Sequence, residues 1–296
     1  MQCPAGFACP RRTGIPSEQP IQCAKGHFCP AGTERPKQFA CPKGRYTSQT
    51  NLTDASECTV CDPGFYCEGG EDTVTDNCHA GHFCPAGTPA AVEFPCPAGR
   101  YTTLLNATAS TDCFECIVGH YCLSGSVHPI PCEAGSYADT VGTQGPLDSG
   151  SGLPTECATC PGGSQCPAGT SDPVDCGVGF FSRAGLPECI PCLFGHYCDE
   201  ATVSESNMLT NKFCAAGEFC PTGMDHVPVL PADGCPVGFQ CLEGGGEDGV
   251  GSREPYPQPC PAGTFANTTG HGLCDSCPAG FYCLEGSIEP SGPCGW

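Results

Sequence analysis

The apolar positions along this chain are set by cysteine and by one aromatic residue beside it. The recurring skeleton is Cys-x-x-Gly, two further residues of which the second is usually aromatic, then Cys, as in CPAGFYC from Cys277 to Cys283. This close form starts at Cys3, Cys23, Cys61, Cys78, Cys116, Cys160, Cys192, Cys214, Cys235 and Cys277. A wide form keeps Cys-x-x-Gly-x-aromatic but closes on a distant cysteine, and starts at Cys41, Cys96, Cys132, Cys176 and Cys260. The fourth residue is glycine in every copy, from Gly6 to Gly280. Self-similarity at this scale marks a repeat architecture.

Each copy predicts the same local structure. Glycine three residues after the cysteine suits a turn with positive φ or a close backbone approach, and a proline after the cysteine presets φ near −65°. A tight turn feeding a short extended stretch follows, with short two-stranded pieces and otherwise irregular backbone. The aromatic before the closing cysteine (Phe28, Tyr66, Phe83, Tyr121, Tyr197, Phe219, Tyr282) is expected to lie on a disulfide or on the next module; Gln165 and Gln240 break that rule.

Six consecutive cysteines, Cys23 to Cys67, reappear at Cys78 to Cys122, each displaced by 55 residues (78 − 23), and the intervening residues follow. That is a tandem duplication. The expected boundaries are a close module over 1–22, the two copies over 23–77 and 78–131, and wide-plus-close modules over 132–175 and 176–213. Two close modules over 214–259, a wide-plus-close module over 260–293 and the start of another at 294–296 complete the chain. Insertions at Tyr137–Thr155, Asp199–Lys212 and Glu243–Gln258 read as exposed loops. Modules that touch mainly their neighbours predict a quasi-one-dimensional rod or solenoid.

Composition narrows the class. There are 31 cysteines in 296 residues, above the level that signals a disulfide scaffold. With 41 Gly and 32 Pro, one large core is not expected, and many small cross-linked modules are. A reducing cytosol would leave such a chain mostly unfolded, which points to a secreted, extracellular or cell-surface location. The net charge of −21 argues against nucleic acid and anionic membrane surfaces, both of which need Lys/Arg clusters. Stray carboxylates could at most bind calcium weakly, and no calcium loop of Asp-x-Asn/Asp-x-Asn/Asp-Gly type appears. No export signal follows Met1 and no stretch approaches a bilayer span. Cys294-Gly295-Trp296 reads as the opening of a further module, so the chain is expected to be a segment of a longer secreted protein.

Parity constrains the disulfides. Five close pairs stand without a wide pair, and every wide opening is followed by its own closing cysteine. The simplest scheme bonds Cys3–Cys9, Cys23–Cys29, Cys41–Cys58, Cys61–Cys67, Cys78–Cys84, Cys96–Cys113, Cys116–Cys122 and Cys132–Cys157. It continues with Cys160–Cys166, Cys176–Cys189, Cys192–Cys198, Cys214–Cys220, Cys235–Cys241, Cys260–Cys274 and Cys277–Cys283, leaving Cys294 for a partner outside the segment. A shifted scheme (Cys9–Cys23, Cys29–Cys41, Cys58–Cys61 onward) also balances, but needs five tight Cys-x-x-Cys bridges. The first is preferred and the second stays open. Loops of these sizes contribute about 2–3 kcal/mol each on the chain-entropy model.

Few motifs point to chemistry. The five Cys-x-x-Cys pairs could suggest zinc or redox work, but each runs into the next close module and no second knuckle faces it. His27, His82, His120 and His196 share the fifth position of the close module, where packing is the plain expectation and a metal or pH ladder the sharper one. No catalytic constellation can be placed on a rigid element, so neither an enzyme nor a bound cofactor is expected. Three sequons do stand out: Asn51-Leu-Thr53, Asn106-Ala-Thr108 and Asn267-Thr-Thr269. Each asparagine lies seven residues before the closing cysteine of a wide loop, so an N-glycan there would have to face solvent.

The stretch CPAGTFANTTGHGLCDSCPAGFYCLEG, Cys260 to Gly286, resembles the cysteine-rich repeats of ephrin-receptor type, found in many secreted and cell-surface proteins of animals and protists. The wide loop CPKGRYTSQTNLTDASEC resembles the first loop of a tumour-necrosis-factor-receptor module, whose corresponding cysteines bond each other; that implies Cys41–Cys58. The interlocked second half of the receptor module is absent. Protist surface fibres and mastigonemes are similar in building on such cysteine-rich, glycosylated chains. The resemblance identifies a building block rather than a function, and repetition without a special site leaves two readings. One is an extracellular structural glycoprotein that forms a fibre, stalk or surface filament with itself or other extracellular proteins. The alternative is a receptor or adhesion ectodomain, with Asp199–Lys212 as the candidate epitope. Thiolate metal storage would need Cys-x-Cys runs and a lysine-rich chain, and neither is here.

Overall fold

The computed structural model describes residues 2–10, 19–145, 157–200, 203–242 and 257–293. The chain forms two compact units, Met1–Pro131 with Ala138–Cys157, and Cys132–Tyr137 with Ala158–Trp296. Both consist of small disulfide-rich modules in tandem.

The module follows from its glycine. All fifteen fourth-position glycines take positive φ, as at Gly6 (+84°), Gly44 (+78°) and Gly280 (+88°), a conformation that costs a residue with a Cβ about 1–2 kcal/mol. The turn closes with a bond such as Phe7 N to Pro4 O at 3.3 Å. The two residues after the glycine then run extended and pair antiparallel with the two residues before the next opening cysteine. Examples are Phe7–Ala8 with Ile21–Gln22, Arg45–Tyr46 with Thr59–Val60, and Thr264–Phe265 with Asp275–Ser276. Isolated two-residue ladders are too short to stand alone. The sulfurs supply what is missing.

The cysteines pair close with close and wide opening with wide closing, from Cys3–Cys9 and Cys41–Cys58 to Cys260–Cys274 and Cys277–Cys283. Cys132 and Cys157 are disulfide-bonded as well. No Cys-x-x-Cys is bridged on itself: Cys58 and Cys61, for instance, lie in different disulfides. Cys294 lies outside the described residues. Most cystines are buried and form the core that aliphatic side chains supply elsewhere.

The inserted segment Asp199–Lys212 corrects the expectation of an exposed loop. Val203–Ser204 joins Phe181–Ser182 as a parallel strand, and Glu205–Asn211 is an α-helix. Ser204 caps it by accepting the amide of Asn207 at 3.3 Å. Met208 and Val203 are fully buried against Phe181 and Cys192–Cys198, with Ile190 alongside. Lys212 closes the segment through Asp199 (2.7 Å) and Glu200 (3.0 Å) and lies over the Tyr197 ring. Those partners, Asp199 first, hold its ammonium above the usual lysine range. Of the insertion Tyr137–Thr155, the described part starts in the strand Ser136–Tyr137 and buries Ala138 and Thr143, against the expectation of an exposed loop, while 146–155 lie outside the described residues; of Glu243–Gln258 only 257 and 258 are described.

Candidate functional site

What repeats in this structure is the junction between modules. The amide of each fourth-position glycine from Gly6 to Gly263 donates to the carbonyl of the seventh residue of the next module. In the first unit Gly6 donates to Cys29 (2.8 Å), Gly26 to Thr47 (2.9 Å) and Gly44 to Cys67 (2.8 Å), and so on to Gly119 and Ala138 (2.7 Å). In the second unit the same bond runs from Gly135 to Cys166 (2.8 Å) and through to Gly263 and Cys283 (2.8 Å). A return bond brings the next opening cysteine amide to the glycine carbonyl, as Cys23 to Gly6 (3.1 Å) and Cys192 to Gly179 (2.8 Å).

Close and wide modules are therefore equivalent at this junction. In a close module the seventh residue is the closing cysteine; in wide modules it is Thr47, Thr102, Ala138, Ser182 or Ala266, all buried. The signal was present in the sequence: counted from the opening cysteine, the seventh residue is never larger than threonine.

A second turn adds contacts to more distant modules. Pro30-Ala-Gly-Thr33 and Pro85-Ala-Gly-Thr88 follow closing cysteines, and Thr33 and Thr88 donate back to their prolines' carbonyls (2.6 Å each). Gly32 N reaches Cys3 O (2.8 Å), and Gly87 N reaches Cys61 O (2.9 Å). The carbonyl of this second turn seats on the first-turn glycine two modules earlier. A Cβ on Gly44 would lie 2.2 Å from Gly87 O, and one on Gly81 the same distance from Gly125 O. Real carbons keep about 3.3 Å or more from such an oxygen. The first-turn glycine thus supplies both a left-handed turn and a seat for a neighbouring backbone.

Two of the three sequons occupy this second turn. Asn51 stands at φ +67° where other modules place glycine, its amide bonds Cys23 O (3.3 Å), and its carbonyl seats on Gly6. Asparagine is the residue that most readily takes that conformation after glycine. Its Oδ1 is buried without a hydrogen-bond partner, and the residue is half-buried. Asn106 is exposed, and its carbonyl seats on Gly64. Asn267 is also exposed but stands three residues before Gly270, which seats on Gly217. Counted from the opening cysteine, Asn267 is therefore in another register from the other two.

The remaining sequence candidates have local roles. The Nδ1 of His27, His82, His120 and His196 each faces the carbonyl two residues back at 3.0–3.3 Å. A carbonyl only accepts, so Nδ1 carries the proton and buttresses the turn. Among the described residues no group of three or more His, Cys, Asp or Glu is arranged to hold a metal ion. Gln165 and Gln240 have a specific task. In the wide loops ending at Cys58 and Cys113, a short 3-10 turn satisfies the closing cysteine amide (to Ala55 O, 3.2 Å, and Ser110 O, 3.3 Å). The loops ending at Cys189 and Cys274 are shorter, and there Oε1 of Gln165 (3.4 Å) and Gln240 (3.5 Å) accepts that amide instead. Of the aromatics, Phe28 lies on Cys41, Cys58 and Leu52, and Tyr197 on Cys214, Cys220 and Met224, as expected, whereas Tyr282 is exposed.

Two open concavities stand out among the described residues. One of about 290 Å³ is lined by Phe219, Met224 and Ala232 under a rim of Asp225, His226 and Asp233. His226 bridges Asp225 (2.7 Å) and Asp233 (3.2 Å), which raise its pKa, Asp225 first. The other, about 530 Å³, is polar, with Lys25, Lys37, Glu71 and Asp72 at its edge.

Tandem cystine modules joined by one repeated backbone junction define a cysteine-rich tandem-repeat protein, a class consistent with an extracellular or surface location. No family model matches the chain. It is similar to the cysteine repeat modular protein A of Toxoplasma gondii, 26% identical over 273 residues, which covers 84% of this chain and 8% of that protein. Shorter likenesses reach an ABC transporter G family member 28 of Arabidopsis thaliana (30% over 118 residues, 34% of this chain) and the ABC-type transporter claG of Penicillium crustosum (36% over 77 residues, 22% of this chain). The matches span a tenth or less of the length of each of these relatives. Among the described residues no helix is long and apolar enough to cross a membrane.

Proposed function

We propose that this chain is an extracellular structural glycoprotein, a disulfide-stapled repeat that assembles into a fibre, stalk or surface filament with itself or with other extracellular proteins. The observation that carries the reading is the junction itself. The same glycine-to-seventh-residue bond joins successive modules whatever their loops do, and the chemistry-bearing side chains are absorbed into turns. Repetition of a load-carrying contact without a convergent site is what a scaffold needs. The similar stretches in a cysteine repeat modular protein and in two ABC transporters fit a building block used in many settings. No enzymatic role and no cofactor is proposed; the covalent additions proposed are glycans, and any calcium binding by surface carboxylates would be weak.

One observation favours the ectodomain alternative. The helix Glu205–Asn211 interrupts the repeat and exposes Ser206, Leu209 and Thr210, as an epitope would. Electron microscopy of the native, unreduced protein separates the two. Filaments with a fixed axial repeat support the structural reading. Particles that never associate when concentrated, but capture a protein ligand through the 203–211 segment, would replace it with the alternative.

A further inference from the structure

We propose that folding closes two of the three sequons, so that glycan occupancy at Asn51 and Asn106 is decided by a race with disulfide closure while Asn267 remains open. The inference rests on the glycoprotein reading above. In N-glycosylation the asparagine Nδ2 forms a bond to the first sugar carbon of an oligosaccharide and loses one proton. The polyprenyl pyrophosphate that carried the sugar leaves. A membrane-bound transferase of the secretory pathway supplies that donor, and the asparagine and the Thr hydroxyl two residues on must be reachable together.

At Asn51 the folded chain partly encloses the asparagine and engages the threonine, which stays exposed. Thr53 donates its hydroxyl to Glu57 Oε1 and its amide to Glu57 Oε2 (3.1 Å). Glu57 is held in the 3-10 turn Ala55–Glu57, which Asp54 caps and which ends on Cys58. The Asn51 side chain is half-buried with its Oδ1 enclosed, and its carbonyl is seated on Gly6. At Asn106, which is exposed like Thr108, the duplicated loop engages the threonine alone, with a different acid. Thr108 donates hydroxyl (3.0 Å) and amide (2.7 Å) to Asp112 Oδ2 in the turn Ser110–Asp112, which ends on Cys113. These turns lie inside the loops that Cys41–Cys58 and Cys96–Cys113 close. Asn267 and Thr269 are exposed as well, but among the described residues no hydrogen bond engages the Thr269 hydroxyl and no 3-10 turn follows. Closure of Cys260–Cys274 therefore does not hide them.

The test expresses the full chain behind an export signal in cultured eukaryotic cells, with and without a brief dithiothreitol pulse during synthesis. Occupancy at each asparagine is read by mass spectrometry after enzymatic deglycosylation in heavy-oxygen water. Asn267 serves as the internal standard and stays constant. Occupancy at Asn51 and Asn106 is expected to be partial and to rise about twofold or more under the pulse, since disulfide closure takes seconds to hours and is outrun once delayed. Glu57→Ala should raise occupancy at Asn51 alone, and Asp112→Ala at Asn106 alone. Occupied Asn267 with Asn51 and Asn106 unmoved by either treatment overturns the inference and leaves the glycoprotein reading standing. Three bare asparagines would overturn both.

Discussion

One methyl group tests the glycine seat. At Gly44 φ is +78° and an added Cβ would lie 2.2 Å from Gly87 O; at Gly223 φ is +82° and nothing lies within 4 Å. Gly223→Ala therefore carries left-handed strain alone, about 1–2 kcal/mol. Gly44→Ala adds a displacement of about 1 Å to bring the oxygen back to ordinary carbon–oxygen contact. That shift pulls on Gly87 N to Cys61 O (2.9 Å) and Gly44 N to Cys67 O (2.8 Å), each worth about 0.5–1.5 kcal/mol. The expected cost is about 2–5 kcal/mol, or about 1–3 kcal/mol beyond Gly223→Ala. Global melting is the wrong assay, because a repeat array opens locally. Hydrogen exchange at the amides of position 44 and Gly87 is the right one, with native disulfides first verified by non-reducing peptide mapping. An excess of about 1–3 kcal/mol appears there as roughly 5- to 150-fold faster exchange than Gly223→Ala produces around its own bond to Cys192 O. Equal acceleration in the two variants would refute the seat and leave only the turn.

Two further outcomes follow from single residues. Gln165→Phe restores the aromatic found in most close modules, yet it leaves the partly buried Cys189 amide without its acceptor. We expect a loss of about 1–3 kcal/mol, seen as faster exchange of that amide, and an unchanged or slower rate would show that the glutamine is incidental. At His226, only an imidazolium has two N–H groups to give both Asp225 and Asp233. Its raised pKa means that this stability is complete below the unfolded value of about 6.5 and is lost as pH rises through the folded value. Asp225, held below the usual carboxylate range by His226, gives the opposite limit: its share is lost as pH falls through its own folded value. The readout is protection of the Val229 amide, which donates to Asp233 Oδ2 at 2.9 Å. Corrected for intrinsic exchange, that protection should fall as pH rises above about 6.5, and the change should vanish in His226→Gln; a flat profile in the parent chain contradicts the clasp.

The module itself was legible because its determinants are local. A cysteine, a glycine that must turn left-handed and a cysteine six residues after the first leave few ways to arrange seven residues. The helix Glu205–Asn211 was less legible, although Ser204 is a good cap. Its seven residues carry only one buried apolar side chain, Met208, and too little periodicity to announce a helix. What buries Met208 is the cystine Cys192–Cys198 with Phe181, a surface that exists only once the neighbouring modules have folded.

The junction was hidden for a different reason. Its bonds are backbone to backbone, so they impose no residue type except where a side chain would obstruct. Those exceptions are Thr47, Thr102, Ala138, Ser182 and Ala266 at the seventh place, all small, and at the second turn glycine or the left-handed Asn51, although Asn106 holds that turn without a positive φ. A pattern of what is never large is harder to see than a pattern of what is always cysteine. The choice of origin matters equally. Measured back from the closing cysteine, Asn51, Asn106 and Asn267 share one place; measured from the opening cysteine, which carries the junction, Asn267 separates from the other two. The carbonyl seats on Gly6, Gly64 and Gly217 show that the opening cysteine is the physical origin, because loop length varies behind the second turn and never ahead of the first. Asparagine at Asn51 therefore answers a backbone requirement as well as forming a sequon, whereas at Asn267 the fold places no demand on the residue.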